Sequence, residues 1–136
     1  MREIISKIDS KKLAIIDKDD NFDFGLKFYG TKEDLIQVGA FRYNNGTKLR
    51  AHRHIDRERV ITKTQEILIV LEGKAVVDIY DYDGSIAYTD TLSSGMFCIV
   101  YHGGVGYLVT NDNTKMLEVK LGDYCITNDS EDRELI

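Results

Sequence analysis

Proline is absent from all 136 residues. Average usage near 5% would supply about seven, so the turns of this chain have to be built from Gly, Asn and Asp. Cysteine is scarce as well. Cys98 and Cys125 lie far apart and form no Cys-x-x-Cys pair, which excludes a disulfide framework and a thiolate metal knuckle and points to a reducing cytoplasm. The longest apolar run, Met96-Phe97-Cys98-Ile99-Val100-Tyr101, falls far short of the roughly 20 residues a membrane-spanning helix needs. Residues 1–9 interleave charges too closely to hold the apolar stretch of a secretory signal. Positive charge is in deficit: 18 Lys and Arg against 23 Asp and Glu leave a net charge of -5 and a pI near 5.2. That sign is wrong for a protein whose affinity comes from neutralising phosphates. Membrane and nucleic acid are therefore not expected as partners.

What is present is an ordinary globular mixture, 43% hydrophobic and 30% charged, in a length that suits one compact domain over residues 1–136. Turn formers recur at Asn44-Asn45-Gly46, Glu72-Gly73, Asp83-Gly84, Ser93-Ser94-Gly95, Gly103-Gly104, Asn111-Asp112-Asn113 and Gly122-Asp123. Between them lie segments rich in Val, Ile, Tyr, Phe and Thr, which predict about eight strands over 36–43, 47–54, 65–72, 74–82, 86–92, 97–101, 105–110 and 115–121. The last alternates, with Leu117, Val119 and Leu121 directed at a core and Glu118 and Lys120 at solvent. A short helix over residues 3–8 is the only helical signal. Strands at this spacing without long helices indicate an all-β, antiparallel sandwich or barrel of the jelly-roll kind. Such a domain leaves edge strands to be paired or covered, so a homodimer is expected.

Few residues carry chemistry. If 47–54 is a strand, His52 and His54 point to one face, because side chains repeat every two residues. An antiparallel neighbour beginning at Glu66 would add a carboxylate, giving a two-nitrogen, one-oxygen set acceptable to Zn, Fe, Mn, Ni or Cu. Paired histidines at a strand end are also common surface residues. Arg50 shares their face and suits an anionic group of a substrate. Cys98 lies in an apolar run with no basic neighbour, which indicates packing rather than nucleophilic chemistry.

The spacing Gly46, five residues, His52-x-His54, then Glu66, six residues, Gly73 resembles the first motif of the cupin superfamily. Here eleven residues separate His54 from Glu66, where the usual motif has three or four. Gly95 through Gly106 resembles the second motif, with Tyr101 where proline is common and Gly106 where the metal-binding histidine is usual. The chain is also similar to small single-domain bacterial cupins, several associated with surface-polysaccharide biosynthesis. These carry a Gly-Gly-His-Gly turn, here Gly103-Gly104-Val105-Gly106, and a Leu-Glu-Val-Lys stretch, here residues 117–120.

The resemblance spans residues 34–124 and implies a cupin-type jelly-roll barrel with an internal pocket. It implies a divalent metal (Zn, Fe, Mn or Ni) on His52, His54 and Glu66, with His102 either a displaced fourth ligand or a turn residue facing solvent. His52 and Glu66 are the catalytic candidates. Arg50 and Tyr107 are the substrate-binding candidates, Tyr107 being one of several tyrosines that either pack or line a pocket suited to a sugar. The implied ligand is a small molecule, a sugar or nucleotide sugar, undergoing metal-assisted isomerisation or epimerisation. The alternative is a non-catalytic binding module with a degraded metal site.

Overall fold

The structure, a computed structural model, describes residues 1–122 and 135–136; Cys125 lies outside the described residues. It is all-β and antiparallel, and among the described residues no helix is long and apolar enough to cross a membrane. The chain divides into two units, one of residues 1–21 and 64–136, the other of residues 22–63.

The first unit holds two sheets. In the larger, β1 (Arg2–Ile5), β2 (Lys12–Lys18), β8 (Met96–Val100), β5 (Glu66–Glu72) and β10 (Lys115–Lys120) lie in the order β1-β2-β8-β5-β10. In the smaller, β7 (Ile86–Ser93), β6 (Lys74–Tyr80) and β9 (Gly104–Val109) lie in the order β7-β6-β9. Among the described residues neither sheet closes on itself. One face of each contributes to a shared core: Ile4, Ala14, Ile16, Leu68, Val70, Cys98 and Val100 from the larger, Val77, Ile79 and Leu92 from the smaller. The central strands β2 and β8 are buried on both faces, which is why their sequences read as unbroken apolar runs rather than alternating ones.

The glycine turns predicted from sequence set the connections. Gly73, between β5 and β6, has φ +82°, and a β-carbon there would meet Thr114 at 2.3 Å from its Oγ1. Gly103, before β9, has φ +70°, and its β-carbon would fall 2.1 Å from the Tyr80 carbonyl oxygen. Only glycine fits both the conformation and the space.

The second unit contains the hairpin of β3 (Gly25–Tyr29) and β4 (Val38–Arg42), registered from Gly25 opposite Arg42 to Tyr29 opposite Val38. A 3-10 turn, Asp19–Asn21, ends the first stretch of the first unit.

Four expectations need correction. Residues 3–8 form no helix; residues 2–5 are strand β1, whose Ile4 enters the core through its pairing with β2. Residues 47–54 form no strand. Lys48, Arg50 and Arg53 leave that stretch without an apolar face to bury, and among the described residues it has no ladder partner, so neither source of strand stability is present there. Strands β1, β2 and β3 were not among the predicted segments. Finally, β10 faces opposite to its alternation: Met116 packs on the core, while Leu117 and Val119 are half exposed.

Candidate functional site

Glu66 is the first residue of β5. Its register partners are Val100 on β8 and Lys120 on β10, and Val100 belongs to the inter-sheet core, so the carboxyl points between the two sheets at their open end. Tyr107 on β9 is paired with core residue Val77 and faces inward from the opposite sheet. The two side chains meet: the Tyr107 hydroxyl donates to Glu66 Oε1 at 3.0 Å.

This pair stands in a cleft of about 1000 Å³ whose walls include Thr64, Asp81, Tyr82, Glu118 and Lys120. Burial raises the Glu66 carboxyl above the usual carboxylate range; the Tyr107 hydrogen bond opposes that rise, the charge of Glu118 adds to it, and Lys120 opposes it again. The Tyr107 phenol is pushed far up, first by burial and then by the neighbouring Glu66 charge. A half-buried carboxyl raised in this way, oriented by a phenol that keeps its proton, has the properties of a general acid or base.

Asp81, just beyond β6, anchors one wall. It is buried and accepts from the Ser6 hydroxyl at 2.8 Å, the Lys7 amide at 2.8 Å and the Tyr82 amide at 2.9 Å. Burial by itself would raise this carboxyl, yet the three donors hold it below its ordinary value. The contact ties the turn after β1 to the β6–β7 connection.

Of the residues singled out from sequence, Glu66 and Tyr107 are brought together in the first unit. His102, half-buried, lies in the same unit with its ring edge-on to Tyr82 at 6.2 Å and its amide donating to the Leu13 carbonyl at 3.1 Å. Val105, where the resemblance places a histidine in related chains, packs against the core. His52, His54 and Arg50 are exposed residues of the second unit. The two imidazoles stand edge-on, with ring centroids 5.2 Å apart, and His52 Nδ1 lies 3.1 Å from the Arg50 carbonyl oxygen. The ligand set expected from sequence is thus divided between the two units.

Asp81, Glu118 and Lys120 were missed as cleft residues, whereas Tyr82 was one of the tyrosines read as either packing or lining a pocket. Glu118 and Lys120 were read as the solvent side of an alternating strand. The signal that could have found Asp81 is its position in an Asp-Tyr-Asp-Gly turn, where a carboxylate commonly caps backbone amides. The chain matches no protein-family model, no curated protein and no solved structure.

Proposed function

We propose that the first unit is a jelly-roll module of the cupin type that binds a small polar metabolite of the sugar or nucleotide-sugar class in the cleft between its sheets, and that Glu66 moves a proton on it. The observation that carries this reading is the Tyr107–Glu66 hydrogen bond in the cleft. A carboxyl in such a place is costly to bury. Tyr107 is a positioning residue: it holds one oxygen of Glu66 and leaves the other to the ligand. Glu66 then takes a proton from a carbon or hydroxyl of the bound sugar and returns it, as an isomerase or epimerase requires. Tyr82 and the glycine turn at 103–104 offer an aromatic face and accessible backbone for a sugar ring. A reducing cytoplasm is the compartment that suits so few thiols.

The test is a thermal-shift screen of neutral sugars, amino sugars and nucleotide sugars, followed by incubation of any binder in deuterated water with NMR detection of exchange at carbon. Binding with exchange that is lost in Glu66→Gln supports the reading. A binder that shows no exchange leaves a non-catalytic sugar-binding module, and no binder at all removes the cleft from consideration.

The histidine pair supports a second reading. Two imidazoles edge-on at 5.2 Å are donors of the class that Zn, Fe, Mn and Ni accept, so His52 and His54 would supply two ligands of a divalent ion. Such an ion would polarise a carbonyl or hydroxyl of a bound molecule. Stoichiometric metal in untagged protein by elemental analysis, lost in His52→Ala and retained in His102→Ala, is the expected result.

A further inference from the structure

The net charge of -5 conceals two units of opposite sign. Residues 22–63 hold nine of the chain's 18 basic residues but five of its 23 acidic ones, which leaves that unit at +4 and the other at -9. At about 0.15 M ionic strength a charge is felt over about 8 Å, so an approaching surface meets the sign of the patch it touches rather than that of the whole chain. Five cations of the second unit, Lys48, Arg50, Arg53, Arg57 and Arg59, are exposed and form no ion pair among the described residues.

The same unit exposes apolar side chains on two features. The hairpin pairs Leu26 with Phe41 and Phe28 with Gly39, so these four share one face of the ladder. Leu26, Phe28 and Phe41 are about half exposed there, while Tyr29 and Ala40 on the opposite face are buried. Gly39 closes the plate: a β-carbon in its place would stand 3.1 Å from the Phe28 ring and 3.2 Å from that of Phe41, so the two rings lean over it. Tyr43 extends the row, its ring 6.4 Å from that of Phe41. At the open end of the ladder the Arg42 guanidinium lies 4.7 Å from the centre of the exposed Phe24 ring, which sets a cation against an apolar side chain. The second feature is the segment that follows the hairpin. Residues 47–63 form neither strand nor helix, and their cations are interleaved with Leu49, Ile55, Val60 and Ile61, all more than half exposed.

Apolar side chains gain by leaving water, and exposed apolar surface gathered in one place marks an interaction site. Charge and side-chain type together select the occupant. A nucleic acid would use the cations and stack on the rings, but it offers nothing to Leu49, Ile55, Val60 and Ile61. An anionic bilayer takes both kinds of group. Its phosphates neutralise Lys and Arg, and its acyl boundary accepts aliphatic and aromatic side chains. We propose that the second unit docks on an anionic phospholipid surface, with the cations of residues 48–59 on headgroup phosphates and the exposed apolar side chains entering the acyl boundary. Asp56 and Glu58 are the two acids of that segment, so its five cations keep the excess. The contact is interfacial and needs no bilayer-crossing segment.

The full chain is tested by co-sedimentation with vesicles of equal parts phosphatidylglycerol and phosphatidylcholine, and with vesicles of phosphatidylcholine alone. Binding is expected to the anionic vesicles and not to the neutral ones. It should weaken as salt rises from about 0.1 M to about 1 M, where the screening length falls from about 10 Å to about 3 Å. Each basic residue near an anionic surface is worth about fivefold in affinity, so Arg57→Gln combined with Arg59→Gln should weaken binding about 25-fold. Ile55→Ser and Val60→Ser alter side chains that are 80% and 76% exposed, and each should weaken binding while the far-ultraviolet circular dichroism stays that of wild type. The chain contains no tryptophan, so Ile55→Trp supplies a single fluorophore whose emission should shift to the blue on anionic vesicles. Equal binding to neutral vesicles, or binding to neither kind, overturns the proposal. So does anionic-vesicle binding that the arginine and apolar variants leave intact, since that binding uses another surface. Tighter binding to a single-stranded oligonucleotide than to the vesicles, with no blue shift in Ile55→Trp, overturns it in favour of a nucleic-acid partner.

Discussion

Glu66 and Asp81 are carboxylates of the same unit that titrate in opposite directions. The Glu66 pKa is raised by burial above its ordinary 4.5, so the folded chain holds that proton more tightly than the unfolded chain. Stability from this residue is complete below about pH 4.5 and declines as pH rises toward the folded value. Glu66→Gln should remove that slope: in urea titrations the stability of wild type relative to the variant falls as pH rises from about 4.5 through the folded value. Asp81 is the reverse case. Despite the upward pull of its burial, hydrogen bonds from Ser6 and the Tyr82 and Lys7 amides keep its pKa below 3.8, so its contribution is present above that value and lost as pH falls further. Asp81→Asn should lower the melting temperature at neutral pH and flatten the acid limb of the stability profile. Cys98 is a third titrating group and an inert one, its thiol pushed up to about 12 by burial and then by the charges of Glu66 and Asp90. In a Cys125→Ser background a thiol reagent should label the native protein negligibly and the unfolded protein fully.

At the scale of elements, the turns and strands carry separable demands. Gly103→Ala forces a β-carbon into the Tyr80 carbonyl at a positive φ. The conformation costs about 1–3 kcal/mol before any clash is relieved, and chemical denaturation should show at least that loss. On the strands, Leu92→Ala removes a fully buried side chain of the inter-sheet core and should cost about 2–5 kcal/mol. Leu117→Ala, measured in dilute solution, should stay within about 0.5 kcal/mol, because that residue is half exposed. The strands after residue 64 were legible because each is a short apolar or alternating run bounded by Gly, Asn or Asp. Strands β1 and β2 were not, although Lys12–Lys18 holds a run as apolar as β8. No turn glycine brackets it, and periodicity cannot tell a strand buried on both faces from a stretch of helix.

For the whole molecule, a homodimer of the kind expected from its edge strands would link stability to concentration. A chain whose folded form dimerises melts at higher temperature as its concentration rises. Wild-type melting temperature should therefore climb over a hundredfold concentration range. A flat wild-type curve would count against the homodimer.

The sequence by itself determined the class of this protein: all-β, antiparallel, turned by glycines where proline is absent, with Glu66 opening a core strand and Tyr107 on a strand of the same sandwich. Those features are local, written in two-residue periodicity and turn chemistry. Only the tertiary structure decided which face of β10 is inside, because alternation of Leu117 and Val119 with Glu118 and Lys120 reads the same whichever side the core lies on. Only it joined Tyr107 to Glu66, 41 residues apart, and Asp81 to Ser6, 75 apart. Such pairings depend on sheet order and register, which arise from how strands distant in the chain share one core, and no window of sequence contains them.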